Sequence, residues 1–276
     1  MVLFNNKNIK SIIADYNIQP SVLNGQNFLV DAMVLQTIME AADIKAGENI
    51  LEIGPGLGVL TSKLLDAGAN VLAVEKDRQI FFYLKKRFNG KTNLTLVNDD
   101  ILKFNNYSVP YRIVANIPYS ITAKIIKKFT ADEVKKPKSL LIMVQKEVGE
   151  RVCAQPGKLN LLAICAQLYG EPSIIALVPA KAFYPAPKVD SCLLLIDDIK
   201  AETPHRIHDL AQFWRVLRIG FSSPRKQLHN NLASGLKADS ATIKQVFQDL
   251  KISEKARAQE LSIAQWAELA AAVDKD

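Results

Sequence analysis

Asn49-Ile50-Leu51-Glu52-Ile53-Gly54-Pro55-Gly56-Leu57-Gly58 is a short apolar run that breaks into three glycines at alternate positions. It reads as a buried strand entering a tight turn, because glycine reaches positive φ and lets a backbone approach a ligand with no Cβ between them. Val59-Leu60-Thr61-Ser62-Lys63-Leu64-Leu65 then carries apolar residues at helical spacing. Strand, glycine turn and helix make a nucleotide pocket. The turn by itself is a weak signal, since the dinucleotide fingerprint G-x-G-x-x-G is similar and Val59 breaks that spacing.

The neighbouring segments narrow the reading. Val71-Leu72-Ala73-Val74-Glu75 is a second apolar strand, and it ends in a carboxylate placed to accept hydrogen bonds from ribose hydroxyls. That suits NAD and S-adenosylmethionine equally. Leu94-Thr95-Leu96-Val97 ends at Asn98-Asp99-Asp100-Ile101, and Tyr111-Arg112-Ile113-Val114-Ala115 ends at Asn116-Ile117-Pro118-Tyr119. Polar residues at four successive strand ends describe one crevice along the edge of a parallel sheet.

Helical spacing over residues 8–18 precedes Gly25-Gln26-Asn27-Phe28-Leu29, a loop that leads into a helix capped by Asp31. This loop is either turn chemistry or a strap over the cofactor. Strand and helix alternate to about residue 145, with helices near 59–67, 77–88 and 121–130, which predicts a doubly wound α/β sheet. Ser139–Val144 is a fifth strand. Ser173–Val178 and Val189–Ile196 are two more, joined by a proline-stiffened loop too short for a crossover helix, so they must pair antiparallel. Seven strands so arranged resemble the mixed sheet of a Rossmann-like methyltransferase, not that of a dehydrogenase. Past residue 204 the apolar spacing is helical only, so the chain divides into a sheet domain, 1–200, and a small all-helical domain, 201–276.

Composition bounds the remaining choices. The chain has 276 residues, 49% of them hydrophobic and 23% charged, as expected of a globular protein with a sizeable core. No apolar run is long enough to span a bilayer, and Met1-Val2-Leu3-Phe4 runs directly into Asn5-Asn6-Lys7-Asn8, which favours a cytoplasmic location with no membrane partner. Cys153, Cys165 and Cys192 are odd in number and set among apolar residues, which points to buried thiols and away from disulfides. His205 and His208 have no carboxylate or cysteine at ligand spacing, so no metal is expected. The net charge of +7 gathers in Lys124, Lys127, Lys128, Lys135, Lys136 and Lys138 and in Arg215, Arg218, Arg225 and Lys226. Two basic groups of that kind suit a polyanion.

The Asn-Ile-Pro-Tyr corner has a specific chemical use. An exocyclic adenine amine is a poor nucleophile because its lone pair is delocalised into the ring. The Asn116 amide oxygen and the Ile117 carbonyl can each accept one N–H of that amine, with Pro118 holding Ile117 extended and Tyr119 stacking on the base. Catalysis is then positioning and electrostatics, with no metal and no covalent intermediate. A paired base cannot enter, so the target is unpaired or flipped, and Phe183 is either the candidate for its second face or an aromatic that packs its own loop onto the sheet.

With these residues assembled, the chain resembles the ribosomal RNA adenine dimethyltransferases, and within them the branch acting on the small subunit. The likeness runs over nearly the whole chain through Gly25–Leu29, Glu52–Gly58, Val74–Asp77, Asp99–Ile101, Asn116–Tyr119 and Phe183–Ser191. It implies an S-adenosylmethionine site at Asn27, Leu29, Gly54, Glu75, Asp100 and Asn116, with Gln26, Gly56, Lys76 and Ile101 beside them. Asp100 would read the cofactor's adenine amine and Glu75 its ribose. Asn116, Ile117, Pro118, Tyr119 and Phe183 would hold the target adenine. The implied activity is dimethylation of two adjacent adenines near the 3′ end of 16S rRNA by a monomer, with a role in small-subunit assembly.

A related family dimethylates one adenine of large-subunit RNA and confers macrolide resistance, and it shares the pocket. Phe221-Ser222-Ser223-Pro224-Arg225-Lys226-Gln227-Leu228-His229-Asn230-Asn231-Leu232 resembles the small-subunit enzymes instead. A non-catalytic assembly factor is the third reading, and the intact turn, Glu75, Asp100 and Asn116 count against it. The chain departs from the small-subunit pattern at Ala154–Asn160, which is shortened and lacks a tyrosine, and at Ser120, where asparagine is common. These departures bear on RNA contacts and on the two adenines' relative efficiency more than on cofactor binding.

Overall fold

The computed structural model describes residues 6–16, 18, 27–107, 110–133, 135–205 and 207–273. The chain begins with α1 (Asn6–Asp15), a two-residue strand β1 (Phe28–Leu29) and α2 (Ala32–Ala42). The Asp31 carboxylate accepts from the N–H groups of Met33 and Val34, so α2 starts where its cap was expected. Alternation follows: β2 (Asn49–Ile53), α3 (Val59–Asp66), β3 (Asn70–Glu75), α4 (Arg78–Arg87), β4 (Leu94–Asn98), β5 (Arg112–Asn116), α5 (Thr122–Lys127), β6 (Leu140–Gln145) and α6 (Lys146–Val152). The expected helix over 121–130 is composite, with a 3₁₀ turn at Tyr119–Ile121 before α5 and a π turn at Lys128–Asp132 after it. Next come α7 (Leu161–Gln167), β7 (Glu171–Val178), β8 (Phe183–Tyr184) and β9 (Ser191–Asp197).

The seven long strands form one mixed sheet in the order β4-β3-β2-β5-β6-β9-β7. The first five are parallel, whereas β9 runs antiparallel to both β6 and β7. The central strands β2, β5 and β6 are buried nearly end to end, as strands covered on both faces must be. The order reverses between β2 and β5, and there the carboxyl ends of adjacent strands open a crevice.

A second sheet, absent from the sequence reading, consists of β1 and β8 alone. Phe28 faces Tyr184 and Leu29 faces Phe183 in antiparallel register, and the Val30 N–H donates to the Ala182 carbonyl at 2.9 Å. The segment expected as a loop is therefore strapped to the one following β7.

The chain separates into two compact units, one containing residues up to Gly149 with Gly170–Ile199, the other Glu150–Tyr169 with Lys200 onward. Residues 150–169, expected within a sheet domain of 1–200, thus group with the helical unit. Their backbone shows why: the N–H groups of Gly157 and Leu159 both donate to the Gln259 carbonyl. The rest of that unit is α8 (Leu210–Gly220), α9 (Leu228–Leu236), α10 (Ser240–Asp249) and α11 (Ile263–Ala272), packed around Phe213, Leu217, Leu232, Phe247 and Trp266, all fully buried. Gly220 is needed beneath Trp266, because a Cβ there would lie 2.4 Å from the indole.

Gly58, at the entry to α3, has φ +74°, and a Cβ on it would stand 2.6 Å from Phe88 and 2.9 Å from Leu84. Gly90 has φ +81° with open space around it. Gly90→Ala is expected to cost about 1–2 kcal/mol for the left-handed backbone alone, and Gly58→Ala about 1–3 kcal/mol more for overpacking. Chemical unfolding measures both; equal losses would mean that the Gly58 contact is relieved without cost.

Candidate active site

Two adjoining cavities lie along the carboxyl ends of β2, β3, β4 and β5. The first is lined by Asn27, Phe28, Leu29, Glu52, Gly54–Leu57, Glu75 and Asn116–Tyr119, among others. The second is lined by Gly54, Glu75, Lys76, Asp77, Asp99–Leu102, Pro118 and Ser120, among others. Gly54, Glu75 and Pro118 border both, so the two are halves of one elongated cleft.

Its floor is the glycine turn. Gly54 and Gly56 have φ of +62° and +56°, in the left-handed region that an L side chain enters only with strain. The Gly54 N–H donates to the Val74 carbonyl at 2.9 Å, which ties the turn to β3. Phe28 of the strap packs against Gly56, where a Cβ would stand 3.3 Å from its ring.

Glu75 ends β3 and is buried. Its carboxylate accepts the Gly56 N–H at 3.3 Å on one oxygen and the Asp77 N–H at 2.8 Å on the other. Burial raises its pKa to about 7 against the opposing pull of these donors. Asp100 is held differently. Lys76 pairs with one carboxylate oxygen at 2.9 Å and the Leu102 N–H reaches the other at 3.0 Å, and the lysine contact lowers its pKa. One carboxylate is buried between backbone donors and the other is shared with an exposed lysine.

At the far corner the Asn116 side-chain NH₂ donates to the Asn27 carbonyl at 3.1 Å. Only nitrogen can donate to a carbonyl, so this contact settles the amide's orientation and leaves Oδ1 as the acceptor available to the cleft. Pro118 has φ −61° and ψ 129°, extended as the corner requires. The Tyr119 hydroxyl bonds the buried Ser191 hydroxyl at 2.6 Å, which anchors a half-buried ring at the mouth, and burial raises its phenol pKa.

The structure thus brings Asn27, Leu29, Gly54, Gly56, Glu75, Lys76, Asp100, Ile101, Asn116, Ile117, Pro118 and Tyr119 to one cleft. Gln26 lies outside the described residues. Phe183 lines neither cavity. It is 3% exposed and belongs to the apolar core, because its pairing with Leu29 turns the ring inward. Two of the lysines expected to suit a polyanion are engaged within the fold. Lys128 is buried, donates to the Phe104 carbonyl and the Asn105 side chain, and pairs with Glu133, while Lys127 pairs with Asp132. Both are committed within the domain. In the helical unit Arg215, Arg218 and Lys226 do share one concavity.

Among the lining residues that had been given no role are Phe28 and Glu52. Glu52 is 1% exposed, one of its carboxylate oxygens has no hydrogen-bond partner, and burial, reinforced by the Glu75 charge, raises its pKa to about 8. Its signal was available: a lone carboxylate within an otherwise apolar strand is costly unless it is used. These features fit S-adenosylmethionine. Glu75 could offer carboxylate oxygens to a ribose, the positive-φ turn admits close approach, and Glu52, with one unpartnered oxygen, lines the same cavity and would suit a cationic group.

Glu52 and Glu75 have folded pKa values above the 4.5 of an unperturbed glutamate, so the folded chain holds protons that the unfolded chain has released. Their contribution to stability is complete below about pH 4.5 and is lost as pH rises through about 7 and 8. Glu52→Gln, neutral at every pH, is expected to remove a large part of that decline. Unfolding free energies collected between about pH 5 and 9 measure it, and a decline as steep as in the parent chain would clear Glu52 of the effect.

The profile of the family described as Ribosomal RNA adenine dimethylase matches residues 22–275. The chain is 37% identical over 265 residues to the ribosomal RNA small subunit methyltransferase A of Dehalococcoides mccartyi, covering 94% of this chain and 90% of that one. With the protein of the same description from Clostridium acetobutylicum it shares 37% over 270 residues, 95% and 96% of the two chains. Among solved structures, a dimethyladenosine transferase from Plasmodium falciparum superposes with a TM-score of 0.73 at 26% identity, over 88% of this chain and 95% of that one. The 23S rRNA methyltransferase ErmE superposes at 0.71 with 24% identity, over 90% and 100%, a likeness of fold. The chain belongs to the ribosomal RNA adenine dimethylase family of S-adenosylmethionine-dependent methyltransferases.

Proposed function

We propose that the chain dimethylates the N6 amines of two adjacent adenines near the 3′ end of 16S rRNA, acting as a cytoplasmic monomer on the small ribosomal subunit with a part in its assembly. The observation that carries this reading is the Asn116 side chain in the wall of the cleft, its NH₂ held by the Asn27 carbonyl, which leaves the accepting role to Oδ1. Similarity to the small-subunit methyltransferases over 94–95% of the chain supports the choice of RNA.

When bound, S-adenosylmethionine supplies an electrophilic methyl group. Glu75 would hold its ribose, Asp100 its adenine amine, and the turn at Gly54 and Gly56 its backbone-facing side. Asn116 Oδ1 and the Ile117 carbonyl accept the two N–H groups of the target amine and draw its lone pair out of conjugation. Tyr119, anchored on Ser191, offers a ring face to the extruded base. After transfer the amine sheds a proton to water, so no strong general base is needed. The first transfer exchanges one N–H for N–CH₃ and leaves one N–H on the same nitrogen, so once the demethylated cofactor has been exchanged one of the two acceptors suffices for the second round.

The test is to incubate methyl-labelled S-adenosylmethionine with unmodified small subunits and, separately, with protein-free large-subunit RNA, and to map the label. N6,N6-dimethyladenine confined to small-subunit RNA is expected, with Asn116→Ala slower by about 10²–10³-fold, the typical loss of one preorganised polar group. Label in large-subunit RNA alone would overturn the choice of substrate, and no label on either RNA would overturn the activity. Glu75→Gln is expected to weaken cofactor binding by about 10- to 100-fold, as lost hydrogen bonds to a charged acceptor do, and isothermal titration reads it.

A further inference from the structure

The exposed face of α4 is unlike the rest of the sheet domain. From Arg78 to Asn98 the sequence holds five cations and no aspartate or glutamate. Ile80, Tyr83 and Leu84 are the buried side of α4. At 100° per residue the opposite stripe carries Arg78, Phe82, Lys85, Lys86 and Asn89, all exposed, with Lys91 just beyond the helix end. Among the described residues no carboxylate pairs with any of these four cations, in contrast to Lys127 and Lys128.

Arg78 and Phe82 set the stripe apart from a plain basic helix face. Lysines in a last helical turn complement the helix dipole, which accounts for Lys85 and Lys86, but Arg78 occupies the first turn, where that dipole disfavours a cation. Phe82 is 53% exposed, and the Arg78 guanidinium stands over its ring at 5.6 Å from the centroid. A guanidinium beside an open aromatic face, followed one turn on by paired lysines, combines the two elements of single-strand recognition: a stacking surface for a base and cations for the adjoining phosphates.

We propose that the outer face of α4 is an RNA-docking platform, on which Phe82 with Arg78 stacks an unpaired base while Lys85, Lys86 and Lys91 neutralise the phosphates that follow. It rests on the reading of the chain as an RNA-modifying enzyme and adds a contact surface outside the cleft. Charge complementarity selects the occupant, since every charge on the stripe is positive and the substrate is a polyanion. The contact is indifferent to sequence, because every base has a face to stack and every phosphate the same charge.

Binding of unmethylated small subunits, and of the RNA extracted from them, tests the platform with Phe82→Ala, Phe82→Trp and the double variant Lys85→Gln/Lys86→Gln in the full chain. Phe82→Ala is expected to weaken binding to both by about 5- to 100-fold, and Phe82→Trp to restore it to within about 2-fold. The double variant is expected to reduce the slope of log K against log salt by about 1–2. Cofactor affinity should stay unchanged in all three, which shows the fold intact. Variants that bind RNA as the parent does overturn the proposal. A loss seen on whole subunits and absent on extracted RNA overturns it in favour of a protein partner. If the parent binds RNA without methylating it and Phe82→Ala still weakens binding, the platform stands and the proposed reaction falls; if the parent binds no ribosomal RNA, both fall.

Discussion

One buried carboxylate holds the cleft together. Glu75 sits at the end of β3 and accepts hydrogen bonds from both Gly56 and Asp77, so a single side chain ties the glycine turn after β2 to the corner that starts α4. An ionised acid in that position is expensive without donors, and the two N–H groups are what make its burial tolerable. The same groups are ones a ribose would compete with or complement. Burial raises the pKa of Glu75, and that of Glu52 in the same cleft, against the pull of those donors.

The opposite corner relies on a different constraint, the directionality of an amide. Asn116 is useful to an amine only if its oxygen faces the cleft, and the Asn27 carbonyl enforces that by accepting from its nitrogen. Asn27 can do so because β1 and β8 pair in register and hold the strap in place. Phe183 is drawn into the same arrangement. Its burial supports the strap, and the aromatic ring left at the mouth of the cleft is that of Tyr119, fixed through Ser191.

The cations of the two units sort by partner. Lys76, Lys127 and Lys128 are each matched by an acid of their own domain, so their contribution to a polyanion's binding is already offset. The α4 stripe and the Arg215, Arg218 and Lys226 concavity have no such match among the ion pairs of the described residues. A count of basic residues cannot tell these classes apart, and only the unmatched class contributes to counterion release in full.

Local pattern was enough to determine the sheet, its parallel half, the antiparallel return of the last two strands, the cap of α2 and the polar residues at four strand ends, since each depends on periodicity, turn chemistry or loop length within a few residues. Tertiary structure decided what depends on distant pairs. The β1–β8 ribbon joins residues some 155 apart, and it buried Phe183 and oriented Asn116. The grouping of 150–169 with the helical unit depends on the Gln259 carbonyl about a hundred residues away. Glu52 was visible as an acid in an apolar strand, but its unpartnered oxygen is a property of the packed cleft. The physical reason is common to all of these: propensity and spacing act along the chain, whereas burial, hydrogen-bond satisfaction and charge pairing are settled by whichever residues the fold brings within a few ångströms.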